Sequence, residues 1–186
     1  MARKAVFIDR DGTLNEENGY LHRAEDCRFI PGAIEAVALL NAAGFLVIVV
    51  TNQSGIARGF YAEADLQQLH AYMTCRLQAG GARIDGWYHC PHHPEYPSAA
   101  GDCSCRKPLP GMLQRAAAEL EIELASSWMI GDKAADIEAG TAAGCRPILV
   151  LTGYGAAERA AVAAAIPVCD NLYAAALHIV AAETEE

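Results

Sequence analysis

A short apolar run, Ala5-Val-Phe-Ile8, ends in Asp9-Arg-Asp-Gly-Thr13. Two carboxylates one residue apart, directly after a run without polar side chains, constrain the fold more than any other feature. Such a run, bounded by turn residues, reads as a buried strand of a parallel sheet. Open α/β sheets bind ligands beyond the carboxyl ends of their strands. Asp9 and Asp11 are therefore expected at a ligand-binding edge.

The same punctuation recurs along the chain. Phe45-Leu-Val-Ile-Val-Val50 ends in Thr51-Asn-Gln-Ser-Gly55, where a hydroxyl and turn amides offer donors to phosphate oxygens. Ile56-Ala-Arg58-Gly-Phe60 continues that loop, with Arg58 a candidate contact for an anionic substrate. Residues 84–89 form a weaker strand. Ser127-Trp-Met-Ile130 ends in Gly131-Asp132-Lys133-Ala-Ala-Asp136, and the run 147–151 ends in Thr152-Gly153. A short strand is expected over 166–168. Helices alternate with these strands. One opens at Pro31-Gly32 and runs to about Ala43. One spans about Ala62 to Ala79 with Leu66, Leu69, Met73 and Leu77 at helical spacing. His70, beside that stripe, reads as a core or boundary histidine. Others open at Pro110-Gly111, run up to Gly144, follow Gly153 as an alanine-rich stretch, and start at about Leu172. The last buries Leu172, Ala176, Ile179 and Val180. Alternating strands and helices predict α/β architecture: one doubly wound, mostly parallel sheet in a single domain over 1–186.

Composition narrows the function. The formal net charge of -9 argues against general nucleic-acid binding, which needs basic patches. No run approaches the ~18 apolar residues of a membrane span, and Met-Ala-Arg-Lys leads into the first strand without a signal-peptide pattern. The expectation is a cytoplasmic protein with reduced thiols. Of its seven cysteines, Cys27, Cys75, Cys145 and Cys169 are scattered. The other three share one loop: Cys90-Pro-His92-His93, then Cys103-Ser-Cys105. Three thiolates and an imidazole make a full tetrahedral set for zinc. His92 is the candidate fourth ligand, with His93 and His89 as alternatives. The loop has few apolar side chains to bury, and a metal supplies order in their place. Four protein ligands leave no open position, so this zinc reads as structural. Arg106-Lys107 follows directly, so the metal loop would fix two cations.

Asp9-x-Asp-Gly-Thr after a strand resembles the first motif of the haloacid dehalogenase superfamily of aspartyl-phosphate phosphohydrolases. Thr51, Lys107 and Gly131-Asp132-x3-Asp136 resemble its second, third and fourth motifs, in order. The resemblance implies that Asp9 is the nucleophile and Asp11 the general acid and base. Asp9, the backbone carbonyl of Asp11, and Asp132 would hold magnesium. Thr51, Arg106 and Lys107 would stabilise the phosphoryl group. Asp136 would bind the metal through water or orient Lys133. The short gaps between motifs imply a capless enzyme, selective through loops 15–21, 54–60 and 91–105.

Taken together, Phe7 to Asn15, Thr51 to Gly59, Cys90-Pro-His-His-Pro94, Cys103-x-Cys-Arg-Lys-Pro108 and Gly131-Asp-Lys133 resemble the D,D-heptose 1,7-bisphosphate phosphatase family. That family removes the 7-phosphate in nucleotide-activated heptose synthesis, for lipopolysaccharide core or surface glycans. Its members are cytoplasmic, generally monomeric, magnesium-dependent and zinc-containing. By motif position the resemblance implies substrate contacts from Asp9, Arg10, Asp11, Glu17, Asn18, Gly19, Tyr20, Thr51, Asn52, Gln53, Ser54, Arg106, Lys107 and Lys133. The departure from the family's usual loop lies at 94–101. The rival is histidinol-phosphate phosphatase, whose second motif typically continues Asp-Gly where this chain has Ser54-Gly-Ile-Ala-Arg-Gly59. Other phosphomonoesters are further alternatives. A non-catalytic, zinc-stabilised sugar-phosphate binding protein would lack Asp9 or Asp11, and both are present.

Overall fold

A computed structural model describes residues 3–96 and 103–184. Part of the metal loop, 97–102, and Glu185-Glu186 of the polar tail lie outside the described residues. The chain runs β1 (Ala5–Ile8), α1 (Ala33–Ala42), β2 (Leu46–Asn52), α2 (Glu63–Ala79), β3 (Gly86–Cys90), α3 (Gly111–Leu120), β4 (Trp128–Gly131), α4 (Ala134–Ala143), β5 (Arg146–Val150), α5 (Gly155–Glu158), β6 (Val168–Cys169) and α6 (Leu172–Thr184). The six strands form one sheet in the order β3-β2-β1-β4-β5-β6, every pairing parallel.

Alternation within each strand sorts side chains between two covers. Val6, Ile8, Val47 and Val49 pack under α1, α2 and α6, while Ala5, Phe7, Ile48 and Val50 pack against α3 and α4. All eight of these strand residues are fully buried. Both faces of the sheet are thus apolar, which is why its strands read as continuous apolar runs. Strand order reverses direction between β1 and β4, and the crevice opens at such a switch point. Asp9 leaves β1 there, its backbone N–H donating to the Ile130 carbonyl at 2.9 Å.

Several boundaries differ from expectation. The first helix starts after Pro31-Gly32, because Gly32 is left-handed at φ 82° and cannot lie within a right-handed helix. The third strand starts two residues later than expected and ends one residue later, at Cys90. The sixth is Val168–Cys169, past Ile166-Pro167. The alanine-rich stretch holds one turn, α5, and a 3-10 turn at Arg159–Ala161. Ala156, Ala157, Ala160 and Ala161 are exposed, so alanine propensity there has no packing to support a longer helix. In α6, Ala175 is buried and Val180 only half-buried.

Candidate active site

Asp9 lies just past the end of β1 and Lys107 beyond the metal loop, 98 positions apart in sequence, yet Lys107 Nζ is 2.8 Å from Asp9 Oδ1. The same ammonium is 2.7 Å from Asp136 Oδ1 and donates to the Val50 carbonyl at 2.8 Å. All three side chains are buried. Burial opposes the charge on Lys107, but Asp136 and Asp9 overcome it and hold the ammonium above its ordinary pKa. Burial raises the Asp9 carboxyl to about 8; Lys107 pulls it down, and Asp136, Asp132 and Asp11 push it up. Lys107 is also held by its backbone. Asn52 Nδ2 donates to the Lys107 carbonyl at 3.0 Å, and the Lys107 N–H donates to Asn52 Oδ1 at 3.1 Å. This two-point clamp ties the end of the metal loop to β2.

Asp132 sits at the end of β4 with no exposure. Its Oδ2 accepts the Tyr154 N–H at 2.8 Å, while its Oδ1 is buried without a hydrogen-bond partner. Burial raises this carboxyl to about 6. A Cβ on Gly12 or on Gly153 would collide with the Asp132 carboxylate, and both glycines have positive φ. One carboxylate oxygen from each of Asp9, Asp132 and Asp136 lies within 4.8 Å of the other two. With all three carboxylates ionised, one ammonium would leave two negative charges in a buried pocket, and burial opposes that by raising Asp9 and Asp132. A divalent cation with hard oxygen ligands fits that charge and the orphaned Asp132 oxygen.

Asp11 is held differently. Arg10, with no exposed surface, reaches Asp11 Oδ1 and Oδ2 from Nη2 at 2.8 Å each and Oδ1 again from Nε at 3.1 Å. Asn15 Nδ2 and Gln53 Nε2 add donors at 3.1 and 2.9 Å. Burial acts to raise this carboxyl, but the Arg10 charge and these donors hold it below the usual range. Behind, Arg10 Nη1 donates to His70 Nε2 at 3.3 Å, so the neutral imidazole carries its proton on Nδ1. Gln53 Nε2 also donates to Thr51 Oγ1 at 2.8 Å, and the Tyr61 hydroxyl donates to Gln53 Oε1 at 2.6 Å.

These groups floor a cavity of 390 Å³, within the range of small-molecule sites. Of the residues expected from sequence, Asp9, Asp11, Glu17, Gly19, Tyr20, Thr51, Asn52, Gln53, Ser54, Arg106, Lys107 and Lys133 line it. Arg10, Asn18 and Arg58 do not. Arg10 is sealed beneath Asp11. Asn18 donates to the Asp26 carbonyl at 3.2 Å on the outside of its loop. Arg58 reaches the metal loop instead, donating to His93 Nε2 at 3.1 Å and the Tyr96 hydroxyl at 3.3 Å, with its guanidinium 4.7 Å from the Tyr96 ring centroid. A larger hollow of 620 Å³ lies beside the 18–28 loop, but it shares only Gly19 and Tyr20 with the cavity and holds no buried charge. Sequence reasoning missed Tyr61, Ala135 and Tyr154 as lining residues. Tyr154 was legible by the strand-end rule, since it follows β5 at the same sheet edge.

At the cavity's side, Cys90 Sγ is 3.7 Å from Cys103 Sγ and from His92 Nδ1, and Cys105 Sγ is 3.4 Å from His92 Nδ1. A tetrahedral zinc site with Zn–S of ~2.3 Å has sulfur–sulfur edges of about 3.8 Å and sulfur–nitrogen edges of about 3.5 Å. The observed spacings match. The other two histidines are engaged elsewhere: His89 Nε2 is 3.3 Å from Glu63, and His93 faces Arg58. Burial pushes the Cys90 thiol well up, so a bound metal would displace its proton.

Comparison with known proteins places this geometry. A family model described as "HAD-hyrolase-like" matches residues 104–175. The D-glycero-beta-D-manno-heptose-1,7-bisphosphate 7-phosphatase of Pasteurella multocida (strain Pm70) is 48% identical over 153 residues, covering 81% of this chain and 83% of the relative. The enzyme of that name from Escherichia coli (strain K12) is 45% identical over 152 residues, 80% of each chain. Among solved structures, the D,D-heptose 1,7-bisphosphate phosphatase of B. bronchiseptica, complexed with magnesium and phosphate, superposes with a TM-score of 0.88 at 35% identity, covering 96% of this chain and 99% of that one. With the order of motifs and the sheet edge they share, these matches mean that the chain belongs to the D,D-heptose 1,7-bisphosphate phosphatase family of the haloacid dehalogenase superfamily.

Proposed function

We propose that this protein is a phosphatase that removes the 7-phosphate of D-glycero-D-manno-heptose 1,7-bisphosphate and leaves heptose 1-phosphate. The observation that carries this reading is the pairing of buried Lys107 with Asp9 and Asp136 beneath a cavity rimmed by two further cations, Arg106 and Lys133. A bisphosphate needs cationic partners at both ends. Lys107 serves the reacting phosphate and the rim cations serve the retained one. Family membership supplies the sugar.

Asp9 attacks phosphorus, forming an aspartyl phosphate as the bond from phosphorus to the heptose oxygen breaks. Asp11 gives its proton to that oxygen, then takes one from the water that attacks the aspartyl phosphate and frees Asp9. The donors around Asp11 favour its anion, which suits the second step. The first requires it to swing off the Arg10 fork, protonated, toward the leaving oxygen. Thr51 donates to a phosphoryl oxygen, Lys107 offsets its charge, and the Asn52 clamp fixes Lys107 in place. Asp9, the Asp11 backbone carbonyl and Asp132 would hold magnesium, which would supply further positive charge to the phosphoryl oxygens. Cys90, His92, Cys103 and Cys105 would hold zinc, and four protein ligands would leave it a structural role. The reading includes a cytoplasmic, monomeric, single-domain enzyme of lipopolysaccharide or surface-glycan heptose synthesis, as membership of this family implies. Among the described residues no helix is long and apolar enough to cross a membrane.

The test is phosphate release, with magnesium, from the α and β anomers of the bisphosphate, with histidinol phosphate in parallel. One phosphate released from either anomer, leaving the 1-phosphate, is expected; release from histidinol phosphate alone would overturn the assignment. Asp9→Asn should abolish turnover while circular dichroism keeps the folded signature of the parent. Turnover at the parent rate would rule out the covalent route.

A further inference from the structure

Phe60 has 55% of its surface exposed, the most among the large hydrophobic residues described. A ring so placed does little for the core, and it lies outside the cavity wall. Its partner is Tyr20, which does line the wall. The two ring centroids are 4.7 Å apart at an interplanar angle of 78°, the edge-to-face arrangement that aromatic quadrupoles favour. Tyr20 has φ 54° and follows Gly19 at φ 58°. A left-handed backbone is disfavoured for a residue with a Cβ and persists where surroundings hold it. Tyr20 is the one of the two that carries this cost, and the left-handed pair turns the 15–21 loop so that the Tyr20 ring stands at the cavity mouth. A second pair joins the same two loops, with His22 stacked on Tyr61 at 4.9 Å and 10°. Tyr61 is anchored through Gln53, whereas Tyr20, 45% exposed, has the Phe60 ring as its aromatic neighbour.

We propose that Phe60 is a positioning residue for substrate selection: it holds the Tyr20 ring across the mouth as a wall that receives the C–H face of the sugar skeleton. The proposal rests on the cavity being the sugar-phosphate site. From Phe60 the rim continues through Tyr20 and Glu17 to Lys133, whose ammonium is 3.3 Å from Glu17 Oε2 and 4.6 Å from the Tyr154 ring centroid. An apolar wall thus stands beside the rim cation. Together they suit a ligand with a carbon face and a second anionic end, and the ring pairs give the two surface loops a fixed spacing without a separate lid.

The test is steady-state kinetics on heptose 1,7-bisphosphate with the parent, Phe60→Ala, Phe60→Leu and Phe60→Tyr. An aromatic pair of this kind corresponds to roughly a 2- to 12-fold change in an equilibrium. Phe60→Ala is expected to raise KM by that factor with kcat unchanged, the signature of lost binding common to ground and transition states, and with a melting temperature lowered by no more than about 6 °C. Phe60→Tyr should restore the parent KM, and Phe60→Leu should resemble Phe60→Ala. An unchanged KM in Phe60→Ala, a fall confined to kcat, or a full rescue by leucine would each overturn the proposal. Inactivity of the parent itself would strike the proposed substrate instead, so the two failures are separable.

Discussion

Arg10 shows what a single buried charge does in this fold. It is enclosed with Asp11, and it also donates to His70 Nε2 from Nη1 and to the Leu21 carbonyl from Nη2. His70 must stay neutral to accept from Arg10, and burial followed by the Arg10 charge depresses its pKa to about 3. The unfolded imidazole titrates near 6.5. Between those values the unfolded chain binds a proton that the folded chain refuses. Stability contributed by His70 is therefore present above pH 6.5 and is lost as pH falls from about 6.5 toward 3. His70→Gln keeps an acceptor for Arg10 and removes the titration. Urea unfolding at pH 7 and pH 4.5 should show the parent losing about 2 kcal/mol more than the variant over that interval. Equal losses would mean that His70 is not the group responsible. Asp9, Asp11, Thr51 and Asp132 were legible in the sequence because each stands at or near the end of an apolar run, and that position alone brings them together, while Lys107 was legible from its place directly after the Cys/His loop. Arg10 and Arg58 were not. Both were expected to meet substrate; the structure instead sets Arg10 against its neighbour Asp11 and the distant His70, and Arg58 against the distant His93–Tyr96 pair, and those distant partners are chosen by packing between segments far apart in sequence.

At the scale of the element, α4 joins fold to chemistry through its first turn. Asp136 Oδ2 accepts the Lys133 N–H at 3.0 Å and caps the helix, while Oδ1 pairs with Lys107. A carboxylate there also meets the positive end of the helix dipole. From sequence, Asp136 was read as a water-mediated metal ligand or a partner of Lys133; the second is met only at the backbone, and the main partner is Lys107. Spacing on α4 fixes the cap, but nothing local reveals a lysine 29 positions upstream. Asp136→Ala removes cap and counter-ion together and leaves a buried ammonium with Asp9 as its remaining carboxylate. Removing one member of a buried pair costs about 3–5 kcal/mol, and urea denaturation should register a loss of that order. Asp136→Asn retains an acceptor for the Lys133 N–H, so it should recover the capping part, roughly 1 kcal/mol, without recovering the activity lost with Lys107 placement. Full recovery of turnover by Asn would show that the charge on Asp136 is dispensable. Helix ends were legible where a capping carboxylate or left-handed glycine marks them, as at Gly44 and Gly144. The short α5 was not, because composition reports propensity and not what a helix has to pack against.

Across the whole molecule, one sheet edge gathers five strand ends, and the metal loop is the long connection among them, from β3 to α3. Its chain leaves β3 at Cys90 and returns through Cys105 straight into Arg106 and Lys107. Lys107 is thus held from three directions: by Asn52 at its backbone, by Asp9 and Asp136 at its ammonium, and by the Cys/His cluster along the chain. Arg106 depends more on the loop, since its Nη1 donates to the His92 carbonyl at 3.1 Å. Joining Cys90 to Cys105 closes a loop of about 15 residues, and a cross-link of that size is worth ~3 kcal/mol in chain entropy. For a chain this long, such a loss lowers the melting temperature by roughly 6–12 °C. Zinc removal, verified by elemental analysis and carried out in saturating magnesium, should produce that shift. The activity pattern should separate the two cations. The Arg106 side is expected to slacken first, so KM for the bisphosphate should rise before kcat falls, because Lys107 keeps its clamp and its carboxylates. Cys103→Ser, which breaks the cluster without a chelator, should reproduce both effects and excludes stripping of magnesium as their cause. Unchanged melting and kinetics in both preparations would mean that the loop holds its cations without a metal. A fall in kcat alone would mean that Lys107, despite the Asn52 clamp, takes its position from the metal.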